Sequence, residues 1–240
     1  EISNPGHDYK YNEFSKKHNG LKLRMGTEPE MMWLKFDENG KPKNGYSKPY
    51  CYHIDQFETL RPVYMKVIEY ARLMGLDMIQ GDHEDAPGQL ELNFTFDDVL
   101  RNADRLTTYR QICAQVAREF GIFACFMSKP FMGVSASGCH HNMSLWRGGE
   151  DVFIPMGNDP KNLPGMQENY MHVKGGENTF MPDGDDPQMP QKAGLEAIGG
   201  IVHHLRALTA IGCSTVNSYR RLWDTGFWAP VFADWGFQNR

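Results

Sequence analysis

The sequence predicts an α+β fold. Three segments alternate apolar and polar residues with a period of two, at 24–36, 89–94 and 139–146. Between them lie two stretches with helical start and stop signals, at 55–74 and 97–120. With 240 residues, 40% of them hydrophobic, the chain is long enough to bury a sizeable core as one large domain or two smaller ones.

Residues 1–20 are polar and rich in Asn, Lys and His, which predicts a loop or a connection arriving from an upstream segment. Along 24–36 one face carries Gly26, Glu28, Glu30, Met32, Leu34 and Phe36. Glu28 and Glu30 then share a face with large apolar residues. Burial of that kind is costly unless a cation compensates it; the alternative is a wet strand end. Residues 35–49 hold Asp37-Glu38-Asn39-Gly40 and two prolines, signalling a turn or exposed hairpin. Asp55 followed by Glu58 reads as a capping box that opens a helix to about Met74, with Gly75 placed to end it.

The stretch from Gly81 to Phe94 is central. It reads as a polar loop carrying Glu84, a Pro87-Gly88 break, and a half-buried strand whose polar face carries Gln89, Glu91 and Asn93. Two carboxylates brought together this way repel, or one takes up a proton, unless a divalent cation with oxygen ligands holds both ionised. A solvated acidic loop before an edge strand is the alternative. Asp97 starts a second helix with an apolar stripe from Leu100 to Phe120, stopped by Gly121. Residues 122–127 read as a short strand and 133–138 as a Gly- and Ser-containing loop. The strand at 139–146 places His140, Asn142 and Ser144 on one face and His141, Met143 and Leu145 on the other. Residues 148–186, rich in Gly, Asn, Asp and Pro, read as a long surface loop. A third helix spans about 187–211, weakened by Gly194, Gly199 and Gly200. An aromatic loop at 223–228 and a strand at 229–235 follow.

Composition narrows the function. A net charge of −5 with no basic stripe argues against a nucleic-acid binder. Five widely spaced cysteines without a Cys-x-x-Cys pair fit a reducing compartment. No apolar run reaches membrane-spanning length and the first ten residues lack a signal core, so a cytoplasmic protein is expected. The start without Met and the stop at Arg240 suggest part of a longer protein. Neither a P-loop nor a Rossmann glycine fingerprint is present. Glu28, Glu30, Glu84, Glu91 and His140, with Arg221 and Arg240 beyond them, nevertheless suit two hard divalent ions and phosphate, and so phosphoryl chemistry.

In order, the residues Glu28-Pro29-Glu30, His83-Glu84 to Gly88-Gln89-x-Glu91, Lys129-Pro130 to Ser137-Gly138-x-His140, Asn217-Ser218-Tyr219-x-Arg221-Leu222, Ala229-Pro230 and Asn239-Arg240 resemble the catalytic domain of glutamine synthetase and its γ-glutamyl-amine ligase relatives. The resemblance covers the chain from about residue 21. It implies an incomplete antiparallel β-barrel, or curved sheet, with surrounding helices over 21–240. Residues 1–20 would connect to a missing N-terminal β-grasp domain, and the C-terminal part would also be missing. It further implies ATP, glutamate and an amine as substrates, and large ring homo-oligomers with sites between subunits. Two or more Mg²⁺ or Mn²⁺ ions are implied, one held by Glu30, Glu84 and Glu91, another by Glu28 and His140. Arg221 would bind glutamate, Ser135, Ala136 and Gly138 would line its site, and Asn142, Ser144 and Arg240 would face the nucleotide.

Three departures from the family pattern stand out. Ser135-Ala136 replaces Asn-Gly before the Ser-Gly pair, and Asn142 replaces a histidine. In the flap, Gly226-Phe227-Trp228-Ala229-Pro230 places Trp228 where a carboxylate faces ammonium. An indole wall suits an alkylammonium, with cation–π attraction of about 0.5–2 kcal/mol. The expected activity is therefore an ATP-dependent glutamate–amine ligase acting through γ-glutamyl phosphate on a small alkylamine such as methylamine. Glutamine synthesis from ammonia, a non-catalytic regulatory homologue and a generic metal-dependent hydrolase are the rivals.

Overall fold

The computed structural model describes residues 5–46, 51–155, 169–182, 184, 186, 188–222, 233, 235 and 236. Its spine is β1 (Leu21–Phe36), 16 residues long. Along one part of its length β1 pairs antiparallel with β7 (Cys139–Arg147), from Leu21 opposite Arg147 to Pro29 opposite Cys139. Further on it pairs with β4 (Gln89–Phe94) at Glu30–Met32 and with β6 (Phe123–Cys125) at Met32–Leu34. The short strands β2 (Pro42–Lys43) and β5 (Asp97–Asp98) also pair with β1, the first closing the hairpin expected after residue 35. With β3 (Met78–His83) beside β4 and β10 (Glu177–Asn178) beside β7, these strands form one eight-stranded antiparallel sheet, curled as a half-barrel.

The period of two along β1 sorts its side chains between two apolar clusters. Met31 and Trp33 point to the helical side, where they meet Leu90, Leu92 and Phe94 of β4. Val63, Tyr64 and Val67 of α3 (Arg61–Leu73) and Tyr109, Ile112 and Val116 of α4 (Val99–Glu119) complete that core. Met32 and Leu34 point the other way, onto Ala86 and Cys125. Glu28 and Glu30 lie on this second face, so the carboxylates do share a face with fully buried apolar residues.

Several local expectations are corrected. Residues 1–20 contain a helix, α1 (Pro5–Lys17), anchored by the Tyr11 hydroxyl, which accepts from the Leu23 N–H at 3.1 Å and donates to its carbonyl at 3.3 Å. The helix expected from Asp55 to Met74 is two, α2 (Ile54–Thr59) and α3. Pro62 has no N–H to carry the ladder across Leu60. The capping box does not form. His53 stands at the N-cap without a side-chain bond, and Glu58 is taken by Arg61 Nε at 2.7 Å and the Tyr64 hydroxyl at 3.1 Å. The polar stretch before Glu84 is strand β3, and β4 is buried on both faces rather than half-buried. The second helix starts at Val99, capped by Asp98, whose carboxylate accepts from Leu100 N at 3.0 Å. The 148–186 stretch carries a hairpin, β8 (Glu150–Pro155) with β9 (Asn169–Lys174), as well as β10. The third helix, α5, spans Lys192–Gly212, and α6 spans Val216–Arg221. The aromatic loop at 223–228 lies outside the described residues, as does most of the strand expected at 229–235.

Candidate active site

Register builds the site. Glu28 stands opposite His140 across the β1–β7 ladder, and Glu30 opposite Glu91 across the β1–β4 ladder. Residues two apart on a strand share a face and directly opposed residues are close neighbours, so these four side chains gather on one patch. Donor atoms of Glu28, Glu91 and His140 lie within 4.8 Å of one another. His140 Nδ1 is 3.3 Å from Glu28 Oε2 and 3.7 Å from Glu30 Oε1.

Glu84 joins them from the tight turn between β3 and β4. The turn is closed by Glu84 N–H to the Gln89 carbonyl at 3.0 Å and Gln89 N–H to the Ala86 carbonyl at 2.9 Å. Gly88 adopts φ +72° there, and a Cβ on it would lie 2.5 Å from the Trp33 carbonyl, so only glycine fits.

The crowding of carboxylates shows in their protonation. Burial, then the nearby charges of Glu30 and Glu91, push the Glu84 carboxyl up to about 8. Burial also raises Glu91 to about 7, with Glu28 and Glu30 adding to the rise against the lowering bond from Asn93 at 2.7 Å. A hard divalent cation fits this donor set, because it replaces the missing counter-charge and takes carboxylate oxygen and imidazole nitrogen.

Gly138 marks where the groups converge. A Cβ built on it would lie 2.8 Å from His140 Nε2, 3.0 Å from Arg221 Nη2 and 3.1 Å from Glu30 Oε1. Glycine leaves that space open, and the contacts show that Arg221 of α6 reaches the carboxylate patch. The helix is held in place by Asn217, whose Oδ1 accepts from Lys129 N–H and whose Nδ2 donates to the Lys129 carbonyl, both at 2.7 Å. The Lys129 ammonium is itself buried against the Val134 carbonyl, and burial lowers its pKa.

The remaining expected residues divide. Asn142 Nδ2 donates to Glu28 Oε1 at 2.8 Å, which sets it beside the carboxylate patch. Ser144 lies further along β7, where its hydroxyl accepts from Trp146 Nε1 at 2.9 Å. Ser135 is buried and donates to the Asp85 carboxylate, and the Ala136 carbonyl accepts from Gln89 Nε2 at 3.1 Å. Trp228 and Arg240 lie outside the described residues. The sequence did not single out Gln89 or Asn217 as site residues. Gln89 carries one signal, its place on the Glu91 face of β4, whereas the partner of Asn217 is 88 residues away and leaves no local trace.

Comparison with known proteins gives the family. The family model for the glutamine synthetase catalytic domain matches residues 9–171 and 158–240. A glutamine synthetase of Methanosarcina mazei is 33% identical over 226 residues, covering 92% of this chain and 43% of the relative. A glutamate–methylamine ligase of Methyloversatilis universalis is 31% identical over 224 residues, covering 90% and 45%. A solved structure of GmaS in complex with ADP superposes with a TM-score of 0.68 at 28% identity, covering 91% of this chain and 44% of that one. The chain thus spans less than half the length of the relatives it matches. By family model, relatives and fold, this chain belongs to the glutamine synthetase catalytic-domain family.

Proposed function

We propose that the chain carries the catalytic centre of an ATP-dependent ligase that joins glutamate to an amine through γ-glutamyl phosphate, with a small alkylamine such as methylamine as the favoured acceptor. The observation that carries the reading is the convergence of Glu28, Glu91, His140, Glu30 and Arg221 around Gly138. In this reading Glu30, Glu84 and Glu91 hold one Mg²⁺ or Mn²⁺ ion, and Glu28 and His140 hold a second. When bound, the ions neutralise charge on the transferring phosphoryl group. Arg221 binds a glutamate carboxylate, its planar fork matching two oxygens. Arg240 meets the nucleotide phosphates, Asn142 and Ser144 stand on the nucleotide side, and 135–138 form the amino-acid side. The working assembly is a ring with sites shared between subunits. The five cysteines are free, which fits a reducing cytoplasm.

The acceptor rests on Trp228. Replacing a carboxylate by an indole removes the charge that serves ammonium and supplies a wall for an alkyl group. Similarity to a glutamate–methylamine ligase supports this choice, while 33% identity to a glutamine synthetase supports ammonia as the second reading.

The test is phosphate release with ATP, Mg²⁺ and glutamate, comparing ammonium, methylamine, ethylamine and a diamine at equal free-base concentration. Methylamine or ethylamine is expected to lead, and Trp228→Glu to narrow the lead. Preference for ammonium overturns the alkylamine choice and leaves glutamine synthesis. No release with any amine overturns the ligase and leaves a regulatory homologue.

A further inference from the structure

Gln89 is 1% exposed and both ends of its carboxamide are engaged. Its Oε1 accepts from the Ala86 N–H at 2.9 Å. Its Nε2 donates to Glu30 Oε2 at 2.9 Å, to the Ala136 carbonyl at 3.1 Å and to Ser137 Oγ at 3.3 Å. Two hydrogens shared among three acceptors favour the charged one, so the shortest of these contacts goes to Glu30. The same Glu30 oxygen accepts from Gly138 N–H at 2.9 Å, and Glu30 N–H donates to the Gly138 carbonyl at 3.1 Å. Two donors therefore hold Oε2 and turn Oε1 toward the open space at Gly138. One side chain thus ties a carboxylate of the site to the middle of the 133–138 loop.

We propose that Gln89 is a positioning residue that couples the Glu30 carboxylate to the 133–138 loop, so that a divalent cation at the carboxylate patch orders the loop before the amino-acid substrate binds. The inference rests on the metal reading given above. Without a cation Glu30 is repelled by its acidic neighbours. A cation relieves that repulsion, so the bonds from Gly138 N–H and the Gln89 amide to Glu30, and from the same amide to the Ala136 carbonyl, hold more firmly. Such coupling is reciprocal and changes affinities about fivefold or more.

The experiment is amide hydrogen exchange of the 133–138 loop with and without Mg²⁺, in the absence of glutamate and nucleotide, after calorimetric titration with Mg²⁺. The native chain is expected to show exchange slowed about fivefold or more by Mg²⁺. In Gln89→Met the ratio between the two states is expected to collapse toward one around Ala136, while Gly138, bonded to Glu30 directly, keeps its ratio. A residue with a merely structural role would speed exchange in both states and leave the ratio intact, and that result overturns the proposal. Mg²⁺ binding with no change in loop exchange in the native chain overturns it as well, and does so even where Gln89→Met fails to fold. Absence of Mg²⁺ binding in the titration defeats the metal reading itself.

Discussion

Gly138 is where three of the candidate side chains converge. It has no side chain, and the space it leaves is bounded by His140 Nε2, Arg221 Nη2 and Glu30 Oε1. Gly138→Ala puts a methyl group into that space against the mobile ends of three side chains rather than against backbone. Folding should therefore change little, by under about 1 kcal/mol, while Mn²⁺ affinity falls about tenfold or more, as it does when the groups that orient metal ligands are disturbed. Calorimetric titration with Mn²⁺ alone checks this; unchanged affinity would place the ion away from Gly138. Asn142 illustrates the same scale in another way. Its amide meets Glu28 rather than standing free, so a residue expected on the nucleotide side also fixes the rotamer of a candidate metal ligand.

Elements matter because four of them together deliver these candidate side chains. β1 supplies Glu28 and Glu30, β4 supplies Glu91, β7 supplies His140 and α6 supplies Arg221. The strands are fixed by ladders, whereas α6 is six residues long and offers little stability of its own. Its anchor is the pair of bonds between Asn217 and the Lys129 backbone. Asn217→Ala leaves a backbone N–H and C=O without those partners, at a cost of about 1–3 kcal/mol. Denaturant unfolding should show that loss. On the proposed ligase reading, the Michaelis constant for glutamate should rise with less effect on kcat, because Arg221 is displaced and no reacting group is removed. A parallel fall in both kcat and kcat/KM would show that α6 acts on the transition state instead.

At the scale of the whole molecule, the curled sheet places acidic groups together at an energetic cost that protons or cations relieve. Glu84 holds its proton to about pH 8 and Glu91 to about pH 7 in the folded chain, against 4.5 for an ordinary carboxyl. Between those limits the folded state binds the extra protons. The stability they represent is complete below about 4.5 and is lost as pH rises through 7 and 8. Chelator-treated protein should therefore melt at a lower temperature at pH 8.5 than at pH 5, with Mg²⁺ reversing most of the loss at pH 8.5. A melting temperature independent of both would show that the carboxylates are not crowded. The same scale separates what the sequence reveals from what folding adds. Alternation within 24–36, 89–94 and 139–146 was enough to read three strands and to put Glu28 with Glu30 and His140 with Asn142, because strand geometry is local and repeats every two residues. The ordered motifs were enough for the family. Register, the clamp from Asn217 to Lys129 and the link from Gln89 to Glu30 were not legible. Each joins, at the site, residues 59 or more positions apart in the chain, where no local pattern records the partner. Helix α1 and the break at Leu60 escaped for a related reason, since a tyrosine bonded to β1 and a proline two residues past Leu60 outweighed weak local signals. The sequence by itself determined the family and which candidate side chains share a strand face. Only the tertiary structure decided that they meet around one open glycine, because pairing between distant strands sets those distances.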